Sequence, residues 1–153
     1  MSSIRFDSHF QTRLIDGLYA EAMILAEAAR SYFDGVGRDE REGLNPVQRV
    51  CFSCESLKVT TRLMHVLAWV LTQRAVDAGE LDWTEATHAE RRLGRSPESD
   101  PHQIGHLPSR ARRLTLASLN LYRRVERLDH IAEDDRVPIS PVRQLQDRLS
   151  HAF

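Results

Sequence analysis

The residues able to do chemistry in this chain are few, and their spacing suits none of the common reactions. Cys51 and Cys54 sit in Cys-Phe-Ser-Cys. That spacing holds zinc only beside a second Cys or His pair, which is absent, and serves as a redox dithiol only after a strand, where this chain opens a helix. A disulfide joining neighbouring turns of one helix would constrain almost nothing. Both are expected to be reduced structural thiols, with Cys54 in the core. Of the seven histidines, His102 and His106 have ligand-like spacing but only Asp100 as a nearby carboxylate, short of the three or four convergent groups zinc requires. His65 lies beside Glu55, Lys58, Arg62 and Trp69 and reads as a hydrogen-bonded side chain. His130, after Asp129, reads as polar helix surface. Gly35-Val-Gly37 lacks the further glycine and the preceding strand of a phosphate loop. No glycine-flanked serine marks a nucleophile elbow. The expectation is no catalytic residue, no metal and no cofactor, hence a protein that works by contact rather than an enzyme.

Contact chemistry is better represented. Arg110, Arg112, Arg113, Arg123, Arg124 and Arg127 lie along one segment and could form an anion-binding or nucleic-acid-binding face, interrupted by Glu126 and Asp129. The alternatives are a solvated face paired with acidic neighbours and a docking surface for an acidic protein. A formal net charge of −1 supplies no global attraction to nucleic acid or to an acidic membrane. Trp69 falls on a polar strip between His65 and Gln73. With Arg62 and Arg74 it forms a candidate partner-docking surface, since Trp and Arg dominate binding energy at many interfaces. The competing reading covers Trp69 with the connection Gly94–Pro108.

These residues are positioned by helices. Hydrophobic residues make up 41% and charged residues 28% of 153 residues, as in a single soluble globular domain spanning 1–153. The N-terminus has no signal-peptide h-region, and the most apolar run, Leu63 to Leu71, is under half the ~20 residues of a membrane span. A cytoplasmic location is therefore expected. Leu14, Leu18, Ala22, Leu25, Ala29 and Tyr32 recur at helical steps within a first helix, about Phe10 to Phe33, which Asp34-Gly-Val-Gly37 should stop before a short charged connection. Asn45-Pro46 should cap and start a second, running to Ala78 and closed by Gly79. Asp82-Trp-Thr-Glu85 resembles a capping box for a short helix ending near Leu93. Gly94–Pro108, with three prolines and two glycines, is expected to be the most mobile loop. A third long helix should run from Pro108-Ser109 to about Asp134, with Leu114, Ala117, Leu121, Val125, Leu128 and Ala132 as its apolar stripe. Ser140-Pro141 should restart a short terminal helix carrying Val142, Leu145 and Leu149. No strand signal appears.

The second helix is apolar on two sides. Cys54, Leu57, Met64, Ala68, Leu71 and Ala75 form one stripe; Phe52, Val59, Leu63, Val66 and Val70 form another. One stripe suffices for a monomer's core. The second is assigned to a homodimer contact through Leu63, Val66 and Val70 across a two-fold axis.

Several blocks carry a family resemblance. Glu55-Ser-Leu-Lys-Val-Thr-Thr-Arg-Leu-Met64, Ala68-Trp-Val-Leu71 and Gln73-Arg-Ala-Val-Asp-Ala-Gly-Glu80 resemble the alphaproteobacterial RcdA family, named for regulation of CtrA degradation. Leu18-Tyr-Ala-Glu-Ala-Met23, Tyr32-Phe-Asp-Gly-Val-Gly-Arg38, Leu107-Pro108, Leu121-Tyr-Arg-Arg-Val-Glu-Arg-Leu-Asp129, Pro141-Val142 and Ala152-Phe153 extend it in order along nearly the whole chain. The resemblance implies an antiparallel three-helix bundle that dimerises, and an adaptor that helps deliver cell-cycle regulators to the ClpXP protease. It maps no catalytic motif. The rival functions are an anion- or nucleic-acid-binding helical module built on the arginines of the third helix, and a dimeric scaffold unrelated to proteolysis.

Overall fold

The computed structural model describes residues 2–136 and Leu149. The expected terminal helix lies, apart from Leu149, outside the described residues. Among these the chain is helical without strands: α1 (Ser2–Asp34), α2 (Val36–Glu42), α3 (Pro46–Asp77), α4 (Trp83–Ala86), a 3-10 turn (Ala89–Arg91), α5 (Pro101–Gly105) and α6 (Ser109–Arg136). The three long helices α1, α3 and α6 pack on one another and hold the core.

The ends of α3 follow from local chemistry. Asn45 accepts the Gln48 N–H at 2.9 Å, Gln48 reaches back to the Asn45 N–H, and Pro46 occupies the first helical position, where no donor is lost. At the far end Gly79 turns the chain with φ of 73°, a conformation costly for any residue with a Cβ, and Glu80 N–H closes on Ala75 O at 2.9 Å. The resulting 32-residue helix is about 48 Å long.

Three local expectations change. Gly35 interrupts α1, but the charged connection after it is itself the helix α2; Arg, Glu and Asp there gain a turn of helix at little cost, and Tyr32 ties it down through a hydrogen bond to Glu40. Asp82 does not cap: its carboxylate instead accepts the Thr84 hydroxyl at 3.2 Å, and α4 lasts four residues. Gly94–Pro108 contains α5, started by Asp100 accepting the His102 N–H at 2.9 Å with Pro101 at its head.

Helix directions depend on that connection. Thr12 meets Asp77 and Asp16 meets Arg74, so α1 runs antiparallel to α3; Glu21 meets Arg124 and Tyr32 meets Arg110, so it also opposes α6. Phe52 shares a cluster with Ala111, Arg62 bonds Ser118, and Trp69 bonds Asp129. Both numbers of each pair rise together: α3 and α6 are parallel. The segment between them returns along the bundle, so α6 begins at the same end as α3.

The core divides in two. The larger part joins Leu18, Ala22 and Ala29 of α1 to Val59, Leu63, Val66 and Val70 of α3 and Leu121 and Val125 of α6. A smaller part at the α5 end gathers Tyr32, Phe52, Ile104, Leu107 and Ala111, with Phe33 set edge-on to Phe52 at 5.5 Å. On α6 the buried residues are Ala111, Thr115, Ser118, Leu121, Tyr122, Val125 and Asp129: Leu121 and Val125 of the predicted stripe are in the core, Leu114 and Leu128 are half-buried, and Ala117 is exposed. Thr115 and Ser118 are buried without cost because their hydroxyls bond carbonyls of their own helix, Ala111 O and Thr115 O, both at 2.8 Å.

Candidate functional site

Three faces of α3 bear on function, and each differs from its expected use. The first is the apolar stripe Phe52, Val59, Leu63, Val66 and Val70. It is buried within the chain itself, Val59, Val66 and Val70 at 0% exposure. Leu63, Val66 and Val70 are thus core residues, not a dimer contact. The assignment is corrected: periodicity marks two stripes but does not rank them.

The stripe expected in the core faces outward. Val47, Val50, Leu57, Met64 and Leu71 are 80%, 64%, 68%, 64% and 51% exposed. Cys54 and Ala68 share the face and are exposed too, so Cys54 is not a core residue. With Thr61 and Ala75 these positions step three, four, three, four from 47 to 75, the seam of a heptad repeat. This seam lies nearly opposite the core stripe. Beside it, Ala26, Arg30 and Phe33 of α1 and Thr60, Met64 and Leu67 of α3 border a groove of about 390 Å³.

The third face is the polar strip, and it is the seat of the returning connection. Arg62 is fully buried. It donates to Ser118 Oγ at 3.3 Å, to Pro97 O at 3.1 Å and to Ser99 Oγ. Ser99 in turn donates to Glu55 at 2.6 Å, and Lys58 pairs with the other Glu55 oxygen at 3.0 Å. Burial lowers the Arg62 pKa, Glu55 opposes that shift, and the neighbouring Arg123 adds to it. Three residues on from Arg62, the His65 ring lies against Gly94, where a Cβ would come within 3.0 Å of ring atoms. Any larger residue would require the His65 ring to shift by a few tenths of an ångström. Tyr122 donates to Gly94 O at 2.8 Å from the α6 side. Trp69 is 4% exposed; its Nε1–H donates to Asp129 at 3.0 Å, and Arg92 binds the other carboxylate oxygen at 2.9 Å. As α3 advances from Glu55 to Trp69, the connection therefore descends from Ser99 to Arg92. It is a strap laid antiparallel along the α3–α6 groove.

Of the three residues expected to dock a partner, Arg62 and Trp69 are consumed inside the chain. This corrects their placement on an open surface. Arg74 alone is exposed, stacked 4.3 Å over the Tyr19 ring and 3.3 Å from Asp16. Of the α6 arginines, Arg112, Arg113, Arg123 and Arg127 are exposed. Arg124 clamps Glu21, Arg110 lies 5.2 Å over the Tyr32 ring, and Arg123 lines a cleft with Arg62. Among the described residues no group of three His, Cys, Asp or Glu side chains could hold a metal, and no helix is long and apolar enough to cross a membrane. His102 and His106 pack ring against ring at 4.7 Å. Cys51 is half-buried within 3.8 Å of Gln103, and burial pushes its thiol pKa up.

Comparison with known proteins agrees with the blocks read in the sequence. Residues 6–153 match the family described as "Protein of unknown function (DUF1465)". The crystal structure of RcdA from Caulobacter crescentus CB15 is similar with a TM-score of 0.64 and 33% identity, over 78% of this chain and 90% of that one. The chain belongs to the RcdA family. No curated protein matches it. In this chain α3 carries the core stripe, the polar strip that seats the strap, and the outward seam, whose apolar side chains are exposed among the described residues. Sequence reading offered a connection over Trp69 only as the competing reading, because the strap's bonds join residues 28 or more positions apart. Only the co-occurrence of Glu55, Arg62 and Trp69 at seven-residue steps hinted that the polar strip had a fixed neighbour.

Proposed function

We propose that this protein is a non-enzymatic adaptor of the cytoplasm that helps deliver cell-cycle regulators to the ClpXP protease, and that it acts as a homodimer. The observation that carries the reading is its likeness to RcdA, 33% identical across 90% of that chain. The outward seam of α3 supports the dimer. Residues Val50, Leu57, Met64 and Leu71, with Val47, Cys54 and Ala68 between them, keep a 3.5-residue repeat on the side of the helix facing away from the core, and such a repeat buries itself best against another copy of the same seam. Arg110 and Arg124 are spent on contacts within the chain, and a net charge of −1 supplies no general attraction to nucleic acid.

The test is reconstituted degradation. Purified protein added in catalytic amount should raise the turnover rate of a ClpXP client from its own cell and remain intact afterwards. Unchanged turnover across the candidate clients, or consumption of the protein itself, would count against the adaptor role.

A further inference from the structure

We propose that the cleft between the strap and α6 is a binding site for a single carboxylate, an Asp or Glu side chain presented by a partner protein on an otherwise uncharged stretch. The inference deepens the adaptor reading and rests on it only for the partner being a protein. The cleft encloses about 710 Å³, with Arg62 in its wall and Arg95, Arg123, Glu98 and Glu126 around it. Arg62 is buried, and both its terminal nitrogens are used by Ser118, Pro97 and Ser99, but its Nε–H has no acceptor. Ser96 Oγ, on the same cleft, is also sealed from water without a partner. Neither atom has surface that a ligand could reach, so the groups able to grip one are the exposed Arg95 and Arg123 beside them.

The charges select the ligand. Arg95 and Arg123 form no ion pair among the described residues, and Arg123 is close enough to Arg62 to repel its charge. Three guanidinium groups and two carboxylates leave a surplus of one positive charge. One carboxylate neutralises it, and guanidinium groups grip a carboxylate in a two-pronged geometry. A phosphate dianion or a nucleic-acid backbone would overcharge the cleft and meet Glu98 and Glu126. Pro97, Pro101 and Leu119 supply apolar wall for the methylene groups and flanking side chains of a peptide.

The test is a titration of the full-length protein with the peptide acetyl-Gly-Leu-Glu-Leu-Gly-amide, its Gln twin, its phosphoserine twin and inorganic phosphate. The readout is the side-chain Nε–H NMR signals of Arg95 and Arg123. The Glu peptide should move both signals and the Gln peptide neither. Arg123→Gln, at an exposed position outside the core, should weaken binding at least about tenfold, the loss expected for one charge-assisted bond. Equal response to Glu and Gln, no response at millimolar peptide, tighter binding of phosphate or phosphoserine, or full affinity in the Arg123→Gln protein would each overturn the site. The same variant in the degradation assay separates this claim from the adaptor role. Lost peptide binding with normal client turnover removes the cleft from partner recognition and leaves the adaptor reading standing. Selective Glu binding by a protein that does not stimulate turnover keeps the site and removes the adaptor reading.

Discussion

Val66 and Met64 stand two residues apart on α3, one at 0% and the other at 64% exposure. Both are apolar, and both belong to unbroken stripes. What separates them is the company each stripe keeps. The stripe of Val66 is flanked by Glu55, Arg62 and Trp69, whose polar atoms need fixed partners and find them in the strap and α6. The stripe of Met64 contains Thr61 and is flanked by Thr60, whose hydroxyls bond carbonyls of their own helix, Leu57 O at 2.9 Å and Ser56 O at 3.1 Å. A stripe bordered by groups that must be paired at long range belongs inside. A stripe bordered by self-satisfied threonines can face water or another chain.

Substitutions on the two stripes should therefore behave as opposites. The largest effect is expected for Val66→Asp, which places an unpaired charge in the core; a loss above about 4 kcal/mol should leave the chain unfolded by circular dichroism. A folded, helical monomer would instead restore Val66 to a subunit contact. Trp69→Ala comes next. It empties a buried site and leaves one Asp129 oxygen without its indole N–H donor, costing about 3–5 kcal/mol in denaturant melts. A variant that melts like wild type but loses partner binding would return Trp69 to the surface. Ser99→Ala should cost less, about 1–3 kcal/mol, by stranding Arg62 and Glu55. Its amide hydrogens from 92 to 99 should then exchange faster than the rest of the fold, and unchanged exchange there would show that the strap is held by other contacts. Arg74→Ala should cost no more than about 1 kcal/mol, since its pair with Asp16 is solvent-exposed. A larger loss would mean that its stacking on Tyr19 fastens α1 to α3.

How much of this could be read beforehand follows the range of the interactions. The long helices were set by local signals, Asn45-Pro46 at one end of α3 and Gly79 at the other, and structure and sequence agree there to within a residue. The run Arg38 to Glu42 was misjudged because glycines on either side outweighed the helix-forming charges between them. The parallel course of α3 and α6 was out of reach. It depends on the segment from Leu81 to Leu107 lying along the bundle, fastened by bonds such as Arg62–Pro97 and Tyr122–Gly94. Trp69 and Arg62 were recognised as unusual for the right reason, large polar-edged side chains on a polar strip, but their partners Asp129, Ser118 and Pro97 lie 60, 56 and 35 residues away. The two apolar stripes were both visible. Their ranking needed those partners.

The central claim is that the outward seam, not the buried stripe, meets another copy of the chain. Sedimentation equilibrium of the wild type and of Met64→Asp at micromolar concentration, each with a thermal melt, tests it most directly. The wild type should be a dimer, and Met64→Asp a monomer of wild-type helicity whose own fold is weakened by no more than about 0.5 kcal/mol. A monomeric wild type, or a Met64→Asp protein that remains dimeric, would contradict it.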